Sequence, residues 1–204
     1  LKNKPCIDYY CYSDGETALT SVIEHYIECE HNVRIMKDSA ISVDGTVSID
    51  QKTQKLLIGK PQLRVGLEKN TGRDVIPSPY LSGLLDNFLD GSYIPAIESK
   101  RGCPFQCTFC DQGLDITKLV SFSTERICEE LTYIAKKIAT LKESRTLAFF
   151  DSNWGLYKED VVVAAHLADI IEQWDWPKVI DISTPKNKRE RILRIDAMLK
   201  NRVD

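Results

Sequence analysis

The chain has 204 residues, which suits one domain of ordinary size or one domain and a piece of another. Its 27 lysine and arginine residues nearly balance its 30 aspartate and glutamate residues, so a dedicated nucleic-acid-binding protein with a concentrated basic face is not expected. Hydrophobic residues make up 43%, enough to build a core, yet no apolar run is long enough to span a membrane. Because the chain begins at Leu1 without a signal peptide and stops abruptly at Asp204, we expect a cytoplasmic fragment of a longer protein.

The first fifty residues predict a strand, a helix and a hairpin. Residues 7–11 are β-prone, and the turn at residues 13–17 offers a helix cap. Apolar residues at helical spacing then predict a helix with the stripe Leu19, Val22, Ile23, Tyr26 and Ile27. Apolar and polar residues alternate on both sides of Asp44-Gly45, which predicts a hairpin there. His25 and His31 are interpreted as helix-surface residues, and four scattered cysteines as small buried hydrophobes: Cys6, Cys11, Cys29 and Cys128.

Residues 51–92 are predicted to form a linker. Their pattern is weak and polar at first, and Pro77 and Pro79 then exclude a helix interior because proline lacks the amide donor that a helix needs. A short helical stretch is expected near residues 81–89.

Three strand-and-helix units are predicted from residue 93 to the end of the chain. The strands are residues 93–98, 146–150 and 179–182. Ser123 is a candidate cap for the first helix, and the helical stripes are Ile127, Leu131, Ile134, Ile138 and Leu141, then Val163, Leu167, Ile170, Ile171 and Trp174, and finally Ile192, Ile195 and Leu199. Strands that alternate with helices in this way indicate an α/β fold with parallel crossovers. Three units do not close a barrel, so we expect the sheet to be cut off by the end of the fragment.

The loop after the first of these strands is expected to carry the chemistry. It holds Cys103, Cys107 and Cys110, three of the seven cysteines, in the spacing C-x3-C-x2-C. An odd number of unevenly spaced cysteines fits no small secreted disulfide framework, which favours a reducing cytosol and a metal or cluster site. Thiolates are soft ligands for iron–sulfur clusters or zinc. Clusters are normally held by four cysteines, so a set of three would leave one iron open to a ligand from outside the chain.

Zinc is the competing interpretation of the same cysteines. Cys107, Cys110 and Cys128 begin like a zinc ribbon, but Leu131 stands where the fourth cysteine would be. The three histidines, at positions 25, 31 and 166, have no short fixed spacing from the loop. Three unligated thiols in one exposed loop would invite oxidation, so the pattern favours a cluster over both alternatives.

The C-x3-C-x2-C loop after a strand, with Phe109 between its last two cysteines and strand-and-helix units behind it, resembles the radical S-adenosylmethionine (radical SAM) superfamily. The resemblance covers residues 93–204. It implies the first three β/α units of a partial (β/α) barrel, whose active face is at the carboxyl ends of the strands. It also implies a 4Fe–4S cluster whose open iron binds S-adenosylmethionine (SAM), which is cleaved to a 5′-deoxyadenosyl radical.

Carried over residue by residue, the resemblance makes Cys103, Cys107 and Cys110 the cluster ligands. Phe109 becomes the aromatic residue whose backbone lies near the adenine of SAM. Where the family has a Gly-Gly-Glu-like motif that meets the SAM amino group, this chain has a departure from it, and Asp151 or Asn153 is expected to serve instead. Polar residues after the third strand are weaker candidates for SAM or substrate contacts, and fit a helix cap equally well: Thr184, Lys186 and Asn187.

The first half of the chain resembles the subgroup of radical SAM enzymes that carry a cobalamin-binding domain. Ile76-Pro77-Ser78-Pro79-Tyr80, followed by the segment from Ile97 and Glu98 to Arg101, Gly102 and Cys103, is similar to that subgroup's junction between linker and barrel. Residues 8–16 are similar to the last strand and turn of its cobalamin domain. The resemblance therefore implies a Rossmann-like tail with a hairpin over residues 1–50, a linker over 51–92 and the first half of the radical SAM core over 93–204, with the cobalamin site outside the fragment.

The function implied is cobalamin-dependent methyl transfer or related radical chemistry on an unidentified small molecule, with an electron donor such as a flavodoxin or ferredoxin as partner. The alternative from a different class is an iron–sulfur electron-transfer or redox-sensing module without SAM chemistry. That alternative requires a fourth protein ligand, and no cysteine stands near the loop in the sequence to supply one.

Overall fold

The computed structural model describes residues 1, 6–12, 14–61, 74–110, 119–141, 143 and 145–204. The chain divides into two compact units, Leu1–Arg64 and Val65–Asp204. In the part of the chain that the structure describes, no helix is long and apolar enough to cross a membrane.

The first unit is a small antiparallel sheet with two helices. Its elements are β1 (Tyr10–Cys11), α1 (Gly15–Glu28), α2 (Val33–Asp38), β2 (Thr46–Ile49) and β3 (Leu56–Ile58). The sheet has the order β1-β2-β3, and both pairings are antiparallel. β3 lies inside the segment that the sequence predicts as a linker.

The hairpin predicted around Asp44-Gly45 forms with a different partner strand for β2. Asp44 and Gly45 do form a turn, with Gly45 at φ 75°, but β2 pairs with β3 across the turn at residues 50–55 and not with residues 41–43. The Asp50 side chain organises that turn by accepting a hydrogen bond from the Lys52 amide (2.8 Å).

The helix α1 forms as predicted but buries another face. Leu19, Ile23 and Ile27 of the predicted stripe are 49–55% exposed, whereas Ala18, His25 and Cys29 are buried. The interpretation of His25 as a surface residue is therefore wrong. Its ring is accommodated inside because Nε2 lies 3.1 Å from the Ser39 hydroxyl, a polar partner from a later segment of the chain.

Two of the scattered cysteines also depart from the prediction of burial. Cys29 is buried, but Cys6 and Cys11 are exposed. Cys11 belongs to β1, a two-residue edge strand that is exposed along its whole length, so no core covers it. Cys128 is half-buried.

The second unit has the alternation of strands and helices that the sequence predicts. After a 3-10 turn at Asp86–Phe88, its elements are β4 (Ala96–Ile97), β5 (Lys100–Arg101), β6 (Val120–Ser121), α3 (Thr124–Ile138), β7 (Thr146–Phe149), α4 (Lys158–Trp174), β8 (Val179–Ile182) and α5 (Arg189–Met198). β4, β7 and β8 form a parallel sheet in chain order, and β5 and β6 form a separate antiparallel ribbon.

The core of this unit lies between one face of the parallel sheet and the helices. The predicted stripes of α3 and α4 pack in one core with Leu147, Phe149 and Ile180 of the sheet, and only Leu141, just after α3, and Trp174 are partly buried. Each such side chain contributes about 1.5–3 kcal/mol when it leaves water. Ser123 caps α3 as predicted, since its hydroxyl accepts the Arg126 amide hydrogen at 3.3 Å.

Each edge of the parallel sheet has a partner beyond the strands. At β4, the Tyr80 hydroxyl accepts a hydrogen bond from the Ala96 amide (3.1 Å) and donates one to the Ala96 carbonyl (2.9 Å). At β8, Ile180 makes a parallel bridge with Val203. An open strand edge pairs readily with other chains, so the Tyr80 contacts protect this one.

Candidate functional site

The carboxyl ends of the three parallel strands bring three loops to one edge of the sheet. The loop after β4 leads through β5 to the cysteines, the loop after β7 contains Asp151 and Asn153, and the loop after β8 contains Lys186. In a parallel sheet these ends lie side by side, which is where open α/β sheets bind ligands. The contacts described below join all three loops.

The cysteine loop turns sharply where it leaves β5. Gly102 has φ 96°, a left-handed conformation that disfavours residues with a side chain, and Cys103 follows it directly. A second turn brings the last two cysteines together, since the Cys110 amide donates to the Cys107 carbonyl at 3.0 Å. All three thiols are partly exposed. Residues 111–118 lie outside the described residues.

Among the described residues, no three His, Cys, Asp or Glu side chains converge on a position that could hold one metal ion. A structural zinc ion needs four donors, with its thiolates about 2.3 Å from the metal. In a cubane cluster each thiolate binds a different iron, so the thiols stand further apart.

Two of the three thiols accept hydrogen bonds from side chains of the other loops. Asn153, after β7, donates from Nδ2 to the Sγ of Cys103 at 3.2 Å. Lys186, after β8, donates from Nζ to the Sγ of Cys107 at 3.0 Å. The hydrogen bond to Cys107 raises the pKa of Lys186, so its side chain stays a cation.

Phe109 is largely exposed to solvent. Its side chain is 83% exposed, and the Lys186 ammonium lies 4.8 Å from the centre of its ring. A cation over an aromatic face is attracted by the ring's quadrupole. Lys186 therefore joins Phe109 and Cys107, although it entered the sequence prediction only as a weaker candidate. Thr184 and Asn187, the other two weaker candidates, are exposed in the same loop.

Asp151 is a buried structural anchor in this structure. Its Oδ1 accepts the amide hydrogens of Ser99 (2.7 Å) and Lys100 (3.2 Å), and its Oδ2 accepts the Ser99 hydroxyl. Burial raises the pKa of the Asp151 carboxyl, although the hydrogen bonds from Ser99 oppose the shift. The carboxylate thus fastens the loop after β7 to the chain just beyond β4.

The rest of the loop after β7 is equally fixed. Trp154 is completely buried and stacks on Phe149 with ring centres 4.5 Å apart. Gly155 has φ 92°, and a Cβ at this position would lie 2.2 Å from the Cδ1 of Ile192. Asn153 lies between the anchors Asp151 and Trp154, so its amide is presented to Cys103 by a rigid turn.

A buried lysine links this turn to the start of α4. The Lys100 ammonium pairs with Asp160, donates to the Ser99 hydroxyl at 3.1 Å and lies 4.0 Å from the Asp151 carboxylate. The second oxygen of Asp160 accepts the amide hydrogens of Gly155 and Tyr157, both at 2.9 Å. Lys100 and Asp160 were absent from the sequence prediction. A lysine inside the polar run at residues 98–101 looks exposed, and an aspartate in the first turn of a helix looks like an ordinary helix-dipole partner.

Comparison with known proteins gives relatives over almost the whole chain. A 2-(S-pantetheinyl)-carbapenam-3-carboxylate methyltransferase of Streptantibioticus cattleyicolor is 29% identical over 94% of this chain and 26% of its own length. TokK, a cobalamin-dependent radical SAM methyltransferase of Streptomyces tokunonensis, is 30% identical over 96% of this chain and 27% of its own length. No protein-family model matches.

A solved structure shares the fold. The cobalamin-dependent SAM radical enzyme OxsB, with aqua-cobalamin and SAM bound, matches 96% of this chain and 26% of its own chain, with a TM-score of 0.57 and 16% identity. The chain is a relative of the radical SAM proteins. It is similar in sequence to the cobalamin-dependent enzymes of that superfamily over a segment that spans about a quarter of their length.

Proposed function

We propose that this chain is part of a cobalamin-dependent radical SAM enzyme, in which Cys103, Cys107 and Cys110 bind a 4Fe–4S cluster. The observation that carries the proposal is the position of these cysteines, on one half-exposed loop at the carboxyl end of the first parallel strand. Homology to enzymes with this chemistry along nearly the full chain supports it.

The donor set fits such a cluster. Three cysteine side chains, which are soft ligands as thiolates, are partly open to solvent on one loop. Side-chain donors from two neighbouring loops reach two of the sulfur atoms, as is usual around iron–sulfur centres. When bound, a reduced cluster of this kind supplies the electron that cleaves SAM to a 5′-deoxyadenosyl radical.

Asn153 is the better placed of the two side chains expected to meet the SAM amino group. Asp151 is buried and its oxygens already accept three hydrogen bonds. Asn153 donates from Nδ2 to Cys103, and its Oδ1 remains an acceptor suited to an ammonium. Phe109, whose backbone is expected near the adenine of SAM, lies between Cys107 and Cys110 in the same loop and has an exposed side chain.

The reaction proposed is methyl transfer to an unidentified small molecule, with cobalamin held by a part of the protein outside residues 1–204. The relatives named as methyltransferases support this assignment. In it, the second unit is the first part of a radical SAM barrel and the first unit belongs to a cobalamin-binding domain, with a flavodoxin or ferredoxin as electron donor.

The competing proposal is an electron-transfer module, which needs a fourth cysteine. Cys128, the other cysteine of the second unit, lies on α3 and lines a groove with Thr132 and His166. That groove belongs to the helices and not to the cysteine loop, which disfavours Cys128 as a fourth ligand.

Cluster loading tests the assignment of the ligands. We expect wild type reconstituted anaerobically with iron and sulfide to hold four of each per chain, and Cys107→Ala to lose the cluster. Cys128→Ala is the matched control, because it removes a thiol of the same unit and should load like wild type. Loss of the cluster in Cys128→Ala, or retention of zinc in place of iron, would overturn the proposal.

A further inference from the structure

We infer that Asn153 and Lys186 set the reduction potential of the cluster by donating hydrogen bonds to the thiolates of Cys103 and Cys107. The inference rests on the proposed cluster at these cysteines. It assigns the two side chains a role toward the sulfur atoms themselves, beyond any contact with SAM.

The geometry is specific to individual sulfur atoms. The Asn153 amide lies 3.2 Å from the Sγ of Cys103, and the Lys186 ammonium lies 3.0 Å from the Sγ of Cys107. Both distances are short enough for a hydrogen bond to sulfur, because sulfur is a large acceptor atom. The two donors come from the loops after β7 and β8, so the cysteine loop is held from two neighbouring strands.

The donors favour the reduced state for an electrostatic reason. Reduction adds one negative charge, which spreads onto the thiolate sulfurs, and an N–H group aimed at a sulfur stabilises that charge. Lys186 adds a positive charge 3.0 Å from the Sγ of Cys107, a separation well below the Debye length of about 8 Å, so solvent ions screen it less than they screen a more distant charge. Both side chains therefore raise the reduction potential and make the cluster easier to reduce.

Each donor is held in place by other contacts. Asn153 follows the buried Asp151 and precedes the buried Trp154. Lys186 is exposed, but its ammonium lies 4.8 Å from the centre of the Phe109 ring, and this attraction favours a position beside the cysteine loop. Such positioning is what lets a surface lysine act on one sulfur atom.

The test is a potentiometric titration of the reconstituted protein without SAM, followed by EPR. For Lys186→Gln we expect a shift to more negative potential of about 59 mV, equivalent to a tenfold change in a one-electron equilibrium. Asn153→Leu, which has no donor, should shift in the same direction by less. Lys186→Arg keeps the charge and the donor and should stay near wild type.

Lys188→Gln is the matched control for loss of charge alone. Lys188 is exposed two positions further along the chain, and among the described residues its side chain makes no contact with the cysteine loop, so its removal should leave the potential unchanged. Wild-type potentials in both Lys186→Gln and Asn153→Leu would overturn the inference, as would an equal shift in Lys188→Gln. If Lys186→Gln does not load, the potential of Asn153→Leu decides alone. Iron and sulfide analysis separates these results from failure of the proposed function, in which wild type itself binds no cluster.

Discussion

At the scale of single residues, the least expected feature is the buried lysine behind the cysteine loop. Lys100 is 8% exposed and pairs with the fully buried Asp160, while Asp151 lies 4.0 Å away. Removing ions from water is costly, and the cost is recovered only when each charge has partners. Here the remaining carboxylate oxygens accept backbone and hydroxyl hydrogens, so the network fixes the turn that presents Asn153.

The first prediction is that Lys100→Met strongly destabilises the second unit. It leaves the Asp160 carboxylate buried without a counter-charge, which typically costs about 3–5 kcal/mol of the free energy of unfolding. Urea denaturation of the two proteins measures the loss. Lys137→Met is the control, because it breaks an exposed ion pair with Asp86, and exposed ion pairs contribute little to stability. Equal stability of the two variants would contradict the role given to Lys100.

At the scale of elements, the hydrophobic pattern predicted the buried face correctly for the helices that pack on the parallel sheet. The stripes of α3 and α4 were predictable from period alone, since a helix between two strands of such a sheet buries one continuous face. The stripe predicted for α1 was wrong about the buried face, because the residues buried there are Ala18, His25 and, just after the helix, Cys29. A search for hydrophobic residues at helical spacing does not detect a buried face that contains a histidine and a cysteine.

Ion pairs just after α4 connect the end of this helix to Arg202, and their contribution to stability depends on pH. Asp175, in a left-handed conformation just after the helix, pairs with Lys178 and with Arg202 at 2.7 Å. Arg202 also donates to the Pro177 carbonyl at 2.7 Å. Hydrogen bonds from Lys178 and Arg202 lower the pKa of Asp175 to about 2.

The resulting prediction concerns acid stability. Because the pKa of Asp175 is lower in the folded chain than its ordinary value of 3.8, its contribution is complete above that value and is lost as the pH falls through about 2. Urea unfolding of wild type and Asp175→Asn should differ by a constant amount from pH 5 to pH 7, and the difference should vanish toward about pH 2. A difference that persists undiminished at the acid end would show that the variant acts by another route.

At the scale of the whole molecule, the order of strands explains how much of the site was predictable. A cysteine loop after the first parallel strand and a polar turn after the second had to meet at one sheet edge, which places Cys103 and Asn153 together. The contact between Lys186 and Cys107 joins residues 79 positions apart, and no local pattern specifies it. The ion pair of Lys100 and Asp160 escaped prediction for the same reason, since the two residues are 60 positions apart.

The central claim is that the three cysteines hold a cluster with one iron open to SAM. The most direct measurement is the EPR spectrum of the reduced, reconstituted protein with and without SAM. We predict that SAM changes the spectrum of wild type, because its amino and carboxylate groups bind the open iron. A fully loaded cluster whose spectrum does not respond to SAM would contradict the claim and favour an electron-transfer module.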